Sequence, residues 1–254
     1  MQPEIVIGPL TLQTFGLCFA LAFLAAGALI GVRFKELGKP VDWAYEMAFS
    51  ALVGGLIGAR LDWVIQNWDQ ASEDLLGNVF TGSGLVWFGG LIGGALGVFL
   101  WAWWRGYLGT ALLDVAAPAL ALGYAVGRIG CQLSGDGDYG IEWDGPWAMS
   151  YPDGTVPTTE EVHPTPVYET LAMGGVAFVL WRLRNRLTGG LLFALYLLLA
   201  GLERLLVEFI RRNEDVALGL TQPQLISVAM ILAGGVWLAD GLRRPARPAP
   251  AQTG

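Results

Sequence analysis

The sequence predicts an all-α, polytopic membrane protein with seven transmembrane helices, its N-terminus outside and its C-terminus in the cytoplasm. Three observations predict it. Of the 254 residues, 54% are hydrophobic and 15% are charged, whereas a soluble domain carries roughly a quarter of its residues charged. Apolar stretches recur along nearly the whole chain, each close to the ~20 residues needed to cross hydrocarbon. The Lys and Arg residues fall almost entirely on one side of those stretches. The net charge of −7 comes from acidic residues gathered in short loops, so it does not mark an acidic soluble protein. It also gives no basic surface for nucleic acid.

Seven spans follow in order, over residues 11–32, 43–65, 84–104, 110–133, 165–181, 189–211 and 221–241. The first is too long for the apolar core of a signal peptide, and Met1-Gln2-Pro3-Glu4 before it carries no basic residue, so it reads as a retained helix. None of the spans alternates with period two, which excludes barrel strands. Gly54 and Gly58 in the second span, and Gly89, Gly93 and Gly97 in the third, are small residues four apart. That spacing lets two membrane helices approach closely. Residues 1–242 therefore read as one transmembrane domain. The long connection 134–164 holds no Lys or Arg and lies outside, and its Tyr139, Trp143, Trp147 and Tyr151 suit the aromatic interface. The Pro- and Arg-containing segment 243–254 reads as a disordered cytoplasmic tail. Cys18 and Cys131 both lie in apolar spans and form no disulfide framework.

Ten basic residues fix the orientation: Arg33, Lys35, Lys39, Arg105, Arg182, Arg184, Arg186, Arg243, Arg244 and Arg247. Only Arg211 and Arg212 face the other way. The positive-inside rule then gives the topology stated above and a multi-pass protein of the bacterial inner membrane.

Three arginines remain inside spans, namely Arg60, Arg128 and Arg204. Burying a guanidinium there costs roughly 3 kcal/mol on insertion scales, so such residues face the bundle interior and usually have a task. All three spans run from inside to outside. The arginines lie 17, 18 and 15 residues beyond Trp43, Thr110 and Gly189. At ~1.5 Å per residue they stand within about one turn of each other, in the outer half. His163, Tyr168, Glu169, Glu203 and Glu208 fall at compatible heights. Each arginine could simply pair with a carboxylate and lock the bundle. Three at one depth favour a shared site for an anion, since guanidinium forks match phosphate oxygens. A phospholipid headgroup is the anion at hand in that leaflet.

At these residues the sequence resembles the prolipoprotein diacylglyceryl transferases. Gly127-Arg128-Ile129-Gly130 is similar to the opening of that family's signature segment, which continues here to Gly140. His163-Pro164-Thr165-Pro166-Val167-Tyr168-Glu169 resembles its H-P-x-Q-L-Y-E, and Arg204, Glu208, Phe209 and Arg211 fall on its R-F-x-x-E-F-x-R pattern. Gly58-Ala59-Arg60, Gly89-Gly90-Leu91-Ile92-Gly93 and Leu220-Thr221 with Gln224 and Ser227 match further segments. The resemblance implies transfer of diacylglycerol from phosphatidylglycerol, or another anionic phospholipid, to the lipobox cysteine of a prolipoprotein signal peptide. It implies no metal and no organic cofactor. It makes Arg128, Arg204 and His163 catalytic candidates, and Arg60, Gly89, Gly90, Gly140, Tyr168, Glu169 and Glu208 substrate-binding ones. His163 could act as acid or base, or anchor the outer loop by a hydrogen bond.

The chain also departs from the family. Phe88 stands where a histidine is usual, Cys131 and Ser134 where asparagines are, and Ala200 and Phe15 where tyrosines are. The changed lining leaves two other functions open: a relative with another acceptor, or a non-catalytic protein that binds anionic lipid. Cys131 could share a helix face with Arg128 as a nucleophile, or be a small packing residue. Asp136, Asp138, Glu142 and Asp144 could hold a divalent cation, but their spacing is not that of an EF-hand and a solvated loop is the simpler reading.

Overall fold

The computed structural model describes residues 1–73, 86–217 and 219–243. Seven helices of 18 residues or more, with one short helix between them, make up most of these: α1 (Thr14–Glu36), α2 (Asp42–Gln66), α3 (Trp68–Glu73), α4 (Trp87–Trp104), α5 (Thr110–Ser134), α6 (Thr165–Leu183), α7 (Leu191–Glu208) and α8 (Gln222–Arg243). Their bounds lie within a few residues of the apolar stretches. The start of the expected third span, at residues 84–85, and the tail after Arg243 lie outside the described residues. By length and composition α1, α2, α5 and α8 can each cross a membrane, and Phe88–Trp104 is a shorter apolar helix. The protein is therefore a helical membrane protein.

Three short antiparallel hairpins were not expected. They are β1 (Glu4–Ile7) with β2 (Leu10–Gln13), β3 (Met149–Tyr151) with β4 (Thr158–Val162), and β5 (Asp215–Ala217) with β6 (Leu220–Thr221). The first precedes α1 and takes up the start of the expected first span, and the other two sit in connections, where paired strands satisfy backbone groups that no helix covers. The six-residue α3 was also missed, because one and a half turns leave no periodicity to read.

The chain divides into two compact units, Phe23–Val115 and the remainder, Met1–Ala22 with Ala116–Gly254. In the first unit α2 and α4 pack through their glycines. A methyl group on Gly58 would lie 2.2 Å from the Gly89 carbonyl oxygen, and one on Gly93 would lie 2.2 Å from that of Gly54. Only bare Cα atoms permit such an approach, and the gain is close dispersion contact along both helices. At one end of this pair Glu46 accepts from Arg105 Nε at 2.7 Å and from Trp101 Nε1 at 2.9 Å. Phe34, Trp43, Trp101 and Tyr107 cluster beside it.

In the second unit α7 packs on α8 by the same device, with Gly201 against the Ser227 backbone and Gly234 against that of Ala194. The core here joins Ala117, Ala121 and Ala125 of α5, Met173, Ala177 and Leu180 of α6, and Leu192 and Ala200 of α7. Gly135, with φ of 60°, ends α5 in the left-handed region and turns the chain into the connection 135–164.

Candidate functional site

Four segments of the second unit bring their charges together. Tyr124 and Arg128 are one turn apart on α5, and the guanidinium carbon stands 4.9 Å over the Tyr124 ring centroid. From α6, Glu169 is fully buried and meets Arg128 Nη2 at 3.1 Å and Arg204 Nη1 at 3.0 Å. Its Oε1 also accepts from the Tyr124 hydroxyl at 2.7 Å, and that hydroxyl accepts from Arg128 Nη2 at 2.9 Å. On α7, Arg204 Nη2 pairs with Glu208 Oε2 at 2.9 Å, one turn further on. Glu208 is held in turn by the Thr221 hydroxyl at 2.7 Å and by Asn213 at 2.6 Å. Thr221 closes a small loop of its own with Gln224.

The fourth segment explains why Arg211 joins. Ile141 N donates to Ile210 O at 2.8 Å, and Gly140 bridges Arg211. A side chain at Gly140 would stand 2.4 Å from that same Ile210 carbonyl. The loop 135–164 therefore lies flat against the chain leaving α7, and Asp138 receives both Arg128 and Arg211. Burial works against the charge on Asp138, but the two guanidinium groups outweigh it and hold its carboxyl below the usual range. Arg211 Nη1 also lies 3.6 Å from Glu169 Oε2.

The result is a chain of alternating charges: Glu208, Arg204, Glu169, Arg128, Asp138, Arg211. Three cations face three carboxylates. Burying such a set is costly unless each charge is matched, and the matching here is complete. Yet some hydrogen-bonding capacity stays unused at Glu169 Oε2, Glu208 Oε2 and Arg211 Nη1.

Arg128, Arg204, Glu169 and Glu208 therefore converge, and Gly140 braces them. His163, at the end of the loop 135–164, and Tyr168, in the first turn of α6, lie in one aromatic group. The His163 ring stacks on Trp143 at 4.4 Å and 11°. Its Nδ1 is 3.3 Å from the Tyr168 hydroxyl, which accepts from Trp147 Nε1 at 2.7 Å. Burial lowers the His163 pKa, which favours the neutral imidazole. Arg60, Gly89 and Gly90 belong to the other unit. There Arg60 lies 4.1 Å over the Trp63 ring, and Gly89 N donates to Asp62 Oδ2 at 2.9 Å. Gly90 faces the Ala59 methyl.

The sequence does not mark Tyr124 as a site residue, offers Asp138 only as a possible cation ligand, and places Arg211 on the family pattern without a role. Arg211 could have been given one, since it stands on the pattern that located Arg204. Tyr124 could have been found as the residue one turn before Arg128. Asp138 is committed to two arginines, so the donor atoms of Cys131, Asp136 and Asp138, which lie within 4.8 Å of one another, are not a vacant cation site. Cys131 Sγ accepts from Arg128 Nη1 at 3.6 Å.

The family model described as prolipoprotein diacylglyceryl transferase matches residues 4–239. Three similar proteins are each named phosphatidylglycerol–prolipoprotein diacylglyceryl transferase. That of Chromohalobacter salexigens is 34% identical, over 95% of this chain and 92% of its own. That of Dehalococcoides mccartyi is 32% identical, over 89% and 87%. That of Clostridium tetani is 31% identical, over 89% and 91%. A match over almost the full length, with the paired arginines and their carboxylates inside it, places the chain in the prolipoprotein diacylglyceryl transferase family.

Proposed function

We propose that the protein transfers diacylglycerol from phosphatidylglycerol to the lipobox cysteine thiol of prolipoproteins, at the outer face of the bacterial inner membrane. The observation that carries this reading is the pairing of Arg128 and Arg204 through one buried carboxylate, Glu169. The thiol attacks the diacylglyceryl carbon, the bond to the phosphate oxygen breaks, and glycerol phosphate leaves with the electron pair. Guanidinium groups fixed beside that oxygen stabilise the charge as it develops. Arg128 and Arg204 take the phosphate, with Arg211 beside them. Glu169 and Glu208 hold the two arginines in place, and Gly140 keeps the outer loop close to them. His163 and Tyr168 anchor the aromatic part of that loop, while Gly89 and Gly90 serve the close packing of α4 on α2. In this topology residues 1–242 form one domain that crosses the membrane seven times with the N-terminus outside, supported by the ten-to-two distribution of basic residues.

Complementation of a strain depleted of its own transferase tests the reading. Wild type restores growth and adds the diacylglyceryl mass to a reporter lipoprotein, while Arg128→Ala and Arg204→Ala restore neither. A well-expressed, correctly inserted wild type that leaves the reporter unmodified overturns it.

A further inference from the structure

One buried carboxylate beside the charge chain belongs to no pair. Glu203 immediately precedes Arg204 on α7 and is 9% exposed. It lies on the inward stripe of that helix, between Ala200 and Val207, which are also buried. Its Oε1 has no hydrogen-bond partner among the described residues, and it joins no ion pair among them. The other buried carboxylate oxygens without a hydrogen bond among the described residues, on Glu169 and Glu208, each belong to a carboxylate already paired with an arginine. The charged and titratable groups that act on Glu203 come from three helices and the segment after α7. They are Glu169 of α6, Arg128 and Tyr124 of α5, Arg204 and Tyr196 of its own helix, and Arg211 beyond it. A carboxyl group held in a membrane bundle without a partner is expensive, and such groups mark proton or ligand pathways.

The transfer proposed above requires a proton acceptor, because a thiol attacks carbon as its thiolate. Phe88 and Ala200 carry no titratable group. Asp138, Glu169 and Glu208 are each occupied by guanidinium groups. His163 is held in the aromatic group with Trp143 and Tyr168, outside the chain of paired charges.

We infer that Glu203 is the proton relay of the site, taking the proton of the substrate thiol and passing it to the departing phosphate. The step balances without a further reactant. The S–H bond breaks and the proton goes to Glu203. The thiolate forms the S–C bond as the C–O bond to phosphate breaks. The glycerol phosphate dianion then takes the proton from Glu203 and leaves as a monoanion, which restores the carboxylate. Neutralising one carboxylate while the phosphate gains a charge keeps the total charge beside Arg128 and Arg204 constant. This assignment rests on the function proposed above.

The test uses the full chain in nanodiscs that contain phosphatidylglycerol, with a lipobox reporter peptide, and follows glycerol phosphate release from pH 5 to 9. Glu203→Gln keeps the shape of the side chain but accepts no proton. It is expected to lower kcat by about 10²-fold, within the range for a lost general base, with KM changed less than about twofold. The acid limb of the wild-type pH profile should vanish. Glu203→Asp should recover part of the rate and restore that limb. Thermal unfolding of each variant separates loss of chemistry from loss of fold. A Glu203→Gln enzyme with the wild-type rate and profile overturns the relay. So does one that is slow with an unchanged pH profile and no recovery in Glu203→Asp, since that is a packing defect. A wild type that releases no glycerol phosphate sinks the transferase reading itself, and the relay with it. A transferring wild type with an indifferent Glu203→Gln sinks the relay alone.

Discussion

Glu169 and Arg204 face each other from α6 and α7 at 3.0 Å, the carboxylate fully buried and the guanidinium one-fifth exposed. Because Arg128 reaches the same oxygen at 3.1 Å, Glu169 is the joint on which three helices meet. Glu169→Gln leaves both arginines short of their counter-charge. Breaking a buried ion pair from one side costs about 3–5 kcal/mol. The variant should show a clear fall in Tm in detergent. An unchanged Tm would mean that the pairing contributes nothing to the fold.

The α2–α4 contact depends on glycine and should respond to one methyl group. Gly93→Ala would push a carbon to 2.2 Å from the Gly54 carbonyl oxygen, and overpacking of this kind costs about 1–3 kcal/mol or more. Gly174, in α6, has open space around its would-be side chain. Gly174→Ala should therefore leave stability within about 1 kcal/mol of wild type. Unfolding curves of the two variants, run side by side, check the contrast, and equal losses would refute it.

Arg211 and Arg212 are neighbours with opposite expectations. Arg211 has a side chain 8% exposed and pairs with Asp138, while Arg212 is 39% exposed and pairs with the half-exposed Glu160. An exposed pair contributes about 0–1 kcal/mol, so Arg212→Ala should behave as wild type. Arg211→Ala should free the loop around Asp138 and depress transfer. Proteolysis rates of the segment 135–145 would report the first effect, and similar rates in the two variants would contradict the distinction.

Burial keeps the His163 pKa below its ordinary 6.5. The unfolded loop therefore takes up a proton before the folded one does. Its packing is at full strength above 6.5 and weakens as pH falls through that value towards the folded pKa. Hydrogen exchange over residues 141–163, corrected for intrinsic rates, should show protection falling between pH 7.5 and 5.5. His163→Gln should remove the dependence. Equal protection at both values in wild type would exclude the proposed stack as a titrating unit.

The helices were legible because a membrane span leaves no choice of backbone and a narrow choice of length. Trp43 to Ile65 was read as a span and Asp42–Gln66 is the helix. Arg128 and Arg204 were legible because a charge in an apolar run stands out. Asp138 was not, since one acidic residue in a loop of several carries no mark of its own. Its role comes from Gly140, which lets the loop lie on Ile210, a contact between residues some seventy positions apart. Arg211 was hidden for a related reason. It sits three residues past the end of α7, so helical spacing from Arg204 could not place it. The hairpins were missed because strands of two to five residues are too short for a period-two pattern to declare itself.

The six alternating charges from Glu208 to Arg211 cancel one another before any lipid arrives. An anion entering this site does not fall into an empty positive well. It must exchange places with carboxylates that already hold the guanidinium groups, so its net affinity is the small difference between two similar attachments. A headgroup held that loosely is easily replaced, and a spent one easily shed as the carboxylates close behind it. Pre-paired arginines thus suit repeated turnover in a leaflet crowded with donor lipid, where scarcity of substrate is not the difficulty and lingering product would be.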